Sequence, residues 1–479
     1  MSAFNAFRQR YLVRFWSPLP ALVALGVASA YYFALTGTFW AVTGEFTRWG
    51  GHVLSWFGYQ PQDWSYFRLI GLQGTPLDRI DGVMIIGMFL GALCCALWAG
   101  NVSLRWPTSK RRLLQGLVGG IVAGFGARLA MGCNLAAFFT GIPMFSLHAW
   151  AFMFATVGGA WIGVKISLLP FLRTPLKVGA TASALPSAES LARRARLQAR
   201  LGLAVLALAA LFAAWRFEVS LVLGMACLFG LLFGGLIERA QICFTSAARD
   251  LWTTGRTRAA FGILLGMAAA CIGTFAAIRL GVAPKIFWMG PNAIIGGILF
   301  GIGIVLAGGC ETGWMYRSME GQVHFWVVGI GNVIGGTLVA IFWDQLGTRL
   351  ALPYPKLNLL ESFGPGNGLL LTFAGLALCL LLVQLNASRF TRRGNRTMSQ
   401  TDKPTLSLDL RGEHCPYNAI ATLETLATMQ PGERLEVVTD CSQSVHGIPE
   451  DTQRQGYKCL AVEQHGALFR FLIEVPLES

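Results

Sequence analysis

Ten apolar runs on the scale of a bilayer crossing constrain this chain more than any motif in it. They fall near residues 21–35, 82–100, 113–131, 147–170, 201–216, 219–237, 259–280, 292–309, 323–343 and 367–388. A hydrocarbon core about 30 Å thick takes roughly 20 residues of helix, and inside it each backbone polar group must find its partner within the protein. The expectation is an all-α polytopic membrane protein. Composition agrees, with 54% apolar and only 13% charged residues among 479, against about a quarter charged in soluble domains. The net charge of +14 comes from Lys and Arg clustered between the apolar runs. That is the signature of membrane topology, and it points to a lipid bilayer as partner and to no nucleic acid.

The same clusters set an orientation. Arg8, Arg10 and Arg14 precede the first run; Ala28-Ser29-Ala30 imitates a signal cleavage site, but Tyr31-Tyr32-Phe33 follows it, so the run reads as an uncleaved helix. Basic groups at 105–112, 173–200, 239–258 and 389–396 alternate with weakly charged loops if the N-terminus and the C-terminal end are both cytoplasmic. The stretch 37–81 then reads as an external loop.

An internal repeat organises the membrane part. Residues 119–134 read GGIVAGFGARLAMGCN and residues 296–311 read GGILFGIGIVLAGGCE, with nine of sixteen positions identical and no gap. Both contain G-x-G-x-x-x-x-x-G-C, ending in Gly132-Cys133 and Gly309-Cys310. Five crossings separate equivalent helices, so the copies run in opposite directions. Inverted repeats with broken helices place a solute site near the bilayer midplane. Taken singly, such glycines pack helices and such cysteines are small buried residues; their recurrence at the end of both copies favours helices that break within the membrane. A third cysteine stands at the end of another run, in Glu238-Arg239-Ala-Gln241-Ile-Cys243-Phe-Thr245. Glu238 and Arg239 can simply pair at a helix end, whereas Gln241, Cys243 and Thr245 gather hydrogen-bonding groups where a helix stops. The equivalent stretch Thr38–Gly44 has no cysteine.

The boundaries read as membrane repeat 1 at 1–172, a cytoplasmic connector and linking helix at 173–216, membrane repeat 2 at 217–345, an external loop and last membrane helix at 346–388, and a linker at 389–404. Residues 405–479 read as a small α/β two-layer domain, with strands at 405–410, 434–439, 457–463 and 467–475 and helices at 416–429 and 443–455. Its candidate nucleophile is Cys415, which Pro416 places at a helix start, where free N–H groups lower a thiol pKa. Cys441 and Cys459 read as strand-end and core residues. No C-x-x-C pair occurs among the eleven cysteines, so no metal site and no cofactor is expected. Thiols along a path that lacks a basic ring suit a soft, sulfur-like anion better than a hard oxyanion, because sulfur is polarizable and a weak donor.

The segments MGCNLAAFFTGI at 131–142, ERAQICFTSAARD at 238–250 and AGGCETGWMYR at 307–317 resemble the YeeE/YedE family of sulfur-transport proteins, in its YedE branch, over essentially residues 1–388. That resemblance implies a pseudo-symmetric helical transporter, not an enzyme, in a bacterial inner membrane. Its solute is thiosulfate or a related reduced sulfur or selenium anion, handed on by Cys133, Cys243 and Cys310 with Gly132, Gly309, Gln241 and Thr245 in support. LDLRGEHCP at 408–416 resembles the TusA/SirA sulfur-carrier fold, in its YedF version, with Asn418 where the family motif has a second proline. It implies a sulfur or selenium acceptor at Cys415, with Pro416 in support, and cytoplasmic sulfur- or selenium-transfer proteins as partners. The alternatives are a membrane sulfurtransferase that relays persulfide, and a C-terminal domain that is purely regulatory. Cys227 and Cys379 read as packing residues.

Overall fold

A computed structural model describes residues 8–172, 177–179, 186–388, 405–415 and 417–476 of the chain. The residue Pro416 and the linker 389–404 lie outside the described residues. The first repeat comprises helices α1 (Pro18–Thr36), α2 (Thr43–Trp56), α3 (Ile80–Trp98), α4 (Lys110–Leu129), the wider-wound α5 (Asn134–Gly141) and α6 (Leu147–Ser167). A long helix, α7 (Ala188–Val219), follows. The second repeat comprises α8 (Leu221–Arg239), α9 (Phe244–Thr253), α10 (Arg258–Arg279), α11 (Pro291–Ala307), α12 (Glu311–Met319) and α13 (Val323–Ile341), and α14 (Pro365–Ser388) closes the membrane part. Among the described residues ten helical spans are long and apolar enough to cross a membrane.

The inverted repeat is visible in the packing. α3 packs on α8 as α10 packs on α1, and α6 packs on α11 as α13 packs on α4, while α4 and α11 cross each other. At that crossing Gly119 lies against Gly303 and Gly126 against Gly296, so closely that a Cβ on any of the four would meet backbone at 2.3–2.5 Å. In the sequence repeat Gly119 corresponds to Gly296 and Gly126 to Gly303. The two contacts are therefore the same contact seen from either side of a pseudo-two-fold axis, as a self-complementary interface requires. Glycine is needed because close backbone approach is what packs helices in lipid.

One sequence expectation is corrected here. The stretch 37–81 is not all external loop: α2 turns back into the protein, with Glu45 fully buried and Gly50 tight against Thr337 on α13. Glu45 is held by Arg48 at 2.9 Å and Arg79 at 2.6 Å. This polar cluster depresses the hydropathy of the segment and hid the helix.

The C-terminal domain has strands β2 (Thr405–Asp409), β3 (Arg434–Thr439), β4 (Lys458–His465) and β5 (Leu468–Glu474), backed by α15 (Tyr417–Ala427) and α16 (Ser444–Arg454). Strands β2 and β3 are parallel and the β3–β5 and β5–β4 pairs antiparallel. Alternating Leu435, Val437, Phe469, Phe471 and Ile473 fill its core. A further strand, β1 (Lys177–Gly179), comes from the connector between the repeats and pairs antiparallel with β2, making the order β1-β2-β3-β5-β4.

Candidate functional site

Among the described residues four helices break inside the membrane part, and each break restarts as a short helix: α2, α5, α9 and α12. The residue that caps each restart is Val42, Cys133, Cys243 or Cys310. The three cysteines have extended backbone, with φ of −132°, −139° and −85°. The breaks ahead of them need a left-handed residue. Gly308 supplies it freely at φ 73°, but Met131 (φ 55°) and Gln241 (φ 51°) do so against the preference of a residue with a β-carbon. Gln241 is pinned by its side-chain amide, which donates to the Glu238 carbonyl at 2.8 Å and to Glu320 at 2.9 Å.

The restarts meet in pairs. Cys133 lies against the backbone amides of Leu135, Ala136 and Val42, which joins α5 to the start of α2. Cys243 and Cys310 touch, Sγ to Sγ 3.8 Å, and Cys310 also meets the Thr312 hydroxyl at 3.1 Å. Gly313 leaves room for this pair, since a Cβ there would stand 2.8 Å from the Cys243 sulfur. Cys133 is not hydrogen-bonded to the other two thiols, although Glu311, next to Cys310, is within electrostatic reach of it. Helix N-termini carry free N–H groups and partial positive charge. Polar side-chain atoms at these starts also stand buried without a partner: Thr43 Oγ1, both side-chain atoms of Asn134, Thr245 Oγ1 and Glu311 Oε2. Buried polar groups are rarely left unpaired, so four starts with spare hydrogen-bonding capacity are what a polar solute would complete.

The C-terminal domain seats on the side of the bundle where α12 ends. Ser442 donates to both oxygens of Glu320 at 2.8 and 3.1 Å, Arg105 donates to the Asp440 carbonyl at 2.6 Å, and Arg112 pairs with Glu413 at 2.9 Å. Arg317 bonds the Gly308 carbonyl at 2.9 Å and the Gln443 side chain. Arg256 pairs with Asp451 at 3.0 Å. The His414 ring stacks on His324 with centroids 4.2 Å apart and fills the space at Gly308, where a Cβ would fall 2.1 Å from it. Burial, with His324 and the nearby arginines, holds His414 well below the ordinary histidine range, hence neutral. A cavity of about 50 Å³ lies between Cys243, Ser246 and Asp250 on one side and Gln443, His446 and Glu450 on the other.

Cys415 stands two residues ahead of α15 and is 2% exposed. Its sulfur is 3.9 Å from that of Cys441, 1% exposed, in the turn after β3. The hydrogen bond between the thiols holds Cys441 down at about 5, with Arg317 assisting against burial, and together with burial pushes Cys415 up, which corrects the lowering expected of Cys415 from its place at a helix start. Arg317 is in electrostatic reach of both thiol pairs: Cys243 in the bundle, Cys415 and Cys441 in the domain.

Of the residues singled out from sequence, the structure brings Cys243, Cys310 and Thr245 to neighbouring helix starts and sets Cys133 at another. Gln241 braces Glu320, and Gly132 and Gly309 pack against Ala137 and Phe325. Glu238 and Arg239 pair with each other at 2.5 Å. Cys441 does not stand alone at a strand end but faces Cys415. Sequence reasoning passed over Arg317, Glu320, Glu311 and Asn134 as well. Glu311 and Asn134 had a signal, since they occupy the same last position of the two sixteen-residue repeats. Asn418, where the carrier motif has proline, does not loosen the helix: it donates to Thr439 Oγ1 at 2.9 Å and Ser444 Oγ at 3.1 Å. Among the described residues no group of three or more His, Cys, Asp or Glu could hold a metal ion.

Comparison with known proteins finds two family models in the chain. The family model described as "Sulphur transport" matches residues 2–162 and 239–429, and that described as "Sulfurtransferase TusA" matches 406–475. The Escherichia coli K12 protein named "Probable transporter YedE" is 56% identical over 391 residues, 82% of this chain and 97% of the relative. The thiosulfate transporter TsuA of the same organism is 37% identical over 108 residues, 22% of this chain and 30% of its own length. A protein named as a sulfur carrier, YedF, also from Escherichia coli K12, is 48% identical over 71 residues, 15% of this chain and 92% of its own. With a family model over most of its length and a relative matched nearly end to end, the chain belongs to the sulphur transport family of multi-pass membrane proteins and carries a TusA-type domain at its C-terminal end.

Proposed function

We propose that the membrane part imports thiosulfate or a related reduced sulfur or selenium anion across a bacterial inner membrane, and that the fused domain accepts the imported sulfur or selenium on Cys415. The orientation is the one the basic loops favour, with the N-terminus and the C-terminal domain cytoplasmic. The observation that carries the reading is the set of four broken-helix starts, three capped by cysteine and all bearing unpartnered buried polar atoms. N–H groups at the starts attract the anionic oxygens, while the thiols contact the soft sulfur end. Cys133 serves the half of the path away from the domain, and Cys243 with Cys310 the half beside it. The seated domain then meets the anion as it leaves the Cys243–Cys310 pair. Relatives named for thiosulfate transport and sulfur carriage support both halves of this reading.

Uptake into proteoliposomes, comparing thiosulfate, selenite and selenosulfate, tests the proposal. Cys133→Ala, Cys243→Ala and Cys310→Ala each depress uptake of the preferred anion, whereas Cys227→Ala and Cys379→Ala do not; equal losses from all five sink the path. The 3.8 Å contact between Cys243 and Cys310 favours one second reading, a persulfide relay within the membrane. Substrate sulfur found covalently on either cysteine, with no rescue of uptake by Ser, selects that reading over passage by hydrogen bonding.

A further inference from the structure

The carrier domain holds a second thiol that the acceptor reading leaves unused. Cys441 lies 26 residues beyond Cys415, yet the two sulfurs are 3.9 Å apart and both are buried. The backbone holds them so. The Cys441 N–H is bonded to Thr439 Oγ1 at 3.1 Å, and its carbonyl accepts from the Ser444 N–H at 3.0 Å. Asn418, in the first turn of the helix behind Cys415, donates to those same residues, to Thr439 Oγ1 and to Ser444 Oγ. One buried side chain thus stitches the loop of one thiol to the loop of the other. Two arginines, Arg249 and Arg317, are in electrostatic reach of Cys415, and Arg249 Nη1 has no hydrogen-bond partner. A simple carrier needs a single sulfur to load and unload; a paired thiol gives the loaded sulfur an intramolecular route off.

We propose that Cys441 is a second reacting thiol, which attacks the Cys415 sulfur of a Cys415 persulfide and releases its outer sulfur as hydrosulfide. This rests on the acceptor reading above. In the loading step Cys415 passes its proton across the thiol contact to the Cys441 thiolate, its sulfur bonds the outer sulfur of thiosulfate, and sulfite leaves with the electron pair of the broken S–S bond. The persulfide takes up that proton. In the second step the Cys441 thiolate bonds Cys415 Sγ, the Cys415–outer-sulfur bond breaks, and HS⁻ leaves with its electron pair. Together, two thiolates, one thiosulfate and one proton give a Cys415–Cys441 disulfide, sulfite and hydrosulfide. The two cysteines are oxidised and the outer sulfur is reduced. A cytoplasmic dithiol reductant, attacking the disulfide, restores both thiols. The atom that touches Cys441 is Cys415 Sγ itself, and the two need close by only about 2 Å to reach a disulfide bond of about 2.05 Å. Arg249 and Arg317 favour the thiolate that attacks and the anion that departs.

The test uses the full chain in detergent, reduced, freed of reductant and given thiosulfate without oxygen. Sulfite and sulfide are measured, with peptide mapping of Cys415 and Cys441. The parent is expected to give stoichiometric sulfite and sulfide together with the Cys415–Cys441 disulfide. In Cys441→Ser sulfite is still released and the persulfide stays on Cys415, which also shows the domain to be folded, while sulfide falls by about tenfold or more. Sulfide from Cys441→Ser at the parent rate overturns the proposal. So does a parent that keeps its persulfide without forming the disulfide, or one whose persulfide migrates to Cys441. If the parent yields neither sulfite nor adduct, the acceptor reading itself fails and takes this inference with it; Cys415→Ser, which should show neither, sets that baseline.

Discussion

The chain contains two thiol pairs at nearly the same spacing, Cys243–Cys310 at 3.8 Å and Cys415–Cys441 at 3.9 Å, in different surroundings. The membrane pair joins two helix caps from distant parts of the second repeat, and around it stand backbone amides, a threonine hydroxyl and the unpartnered starts of α9 and α12. Arg317 is in electrostatic reach of both pairs, but the domain pair is stitched by Asn418 and has Arg249 near Cys415 as well. The first setting suits an anion that is held and let go. The second suits a sulfur that is bonded. Contact distance between thiols is therefore a poor guide to their chemistry, and what surrounds them is a better one.

The comparison breaks most visibly at the membrane pair. Removing either thiol takes a buried hydrogen-bonding partner from the path, so Cys243→Ala or Cys310→Ala should slow uptake by about tenfold or more, read as initial rates in proteoliposomes. Cys415→Ser should leave those initial rates nearly unchanged while abolishing the adduct on the domain. If the two pairs respond alike, the division between holding and bonding is wrong.

A comparable effect is expected at the seat between the regions. A β-carbon in the left-handed region costs roughly 1–2 kcal/mol, and at Gly308 it would also collide with the His414 ring. Gly308→Ala should unseat the domain and speed alkylation of Cys415 by about tenfold, the factor that about 1.4 kcal/mol represents. Unchanged labelling would show that His414 does not hold the seat.

The pH dependence of the unloaded domain pair adds to the contrast. Cys441 is held down at about 5, chiefly by its hydrogen bond with Cys415. A depressed value means that the thiolate is present above about pH 5 and is lost as pH falls through it, whereas an ordinary thiol loses its thiolate near 8.5. The thiolate of the unloaded pair, read by ultraviolet absorbance of the parent against Cys441→Ser, should be constant through neutral pH and halve near 5. The smallest effect is expected from Asn418→Pro, which restores the usual carrier motif and removes two hydrogen bonds. Loading of Cys415 should persist while disulfide formation slows by a few-fold, since the two bonds brace the thiol loops in ground and transition state alike and only part of the ~1 kcal/mol that each contributes reaches the rate.

Much of this architecture is legible in the sequence because it is periodic or repeated. The ten runs give the ten spans, the sixteen-residue repeat gives the inverted halves, and the strand Arg434–Thr439, bounded by Gly432 and Asp440, is placed to the residue. What stayed hidden was made by distance. The helix Thr43–Trp56 is stabilised by Arg79, far along the chain, so its own polarity argues against burial. Cys441 carries no spacing motif, because its partner lies across a helix and a strand. The latch of Glu320 with Ser442 and Gln241 joins three separate segments. The edge strand Lys177–Gly179 is only three residues long and has no pattern of its own. Each of these needs the tertiary fold to exist before it means anything.

The pseudo-two-fold axis through the crossing of α4 and α11 has a consequence for direction. A conduit whose backbone looks alike from either mouth is no rectifier: it lets a solute run down its gradient whichever way that gradient points. On the proposed path, polarity has to come from something that stands at one mouth only, and the carrier domain, which has no symmetry mate, stands there. By converting the anion where it emerges, the domain lowers the chemical potential of the free solute on that side. Net inward flow then needs no moving gate in the bundle, only a chemical sink at one end of a symmetric conduit.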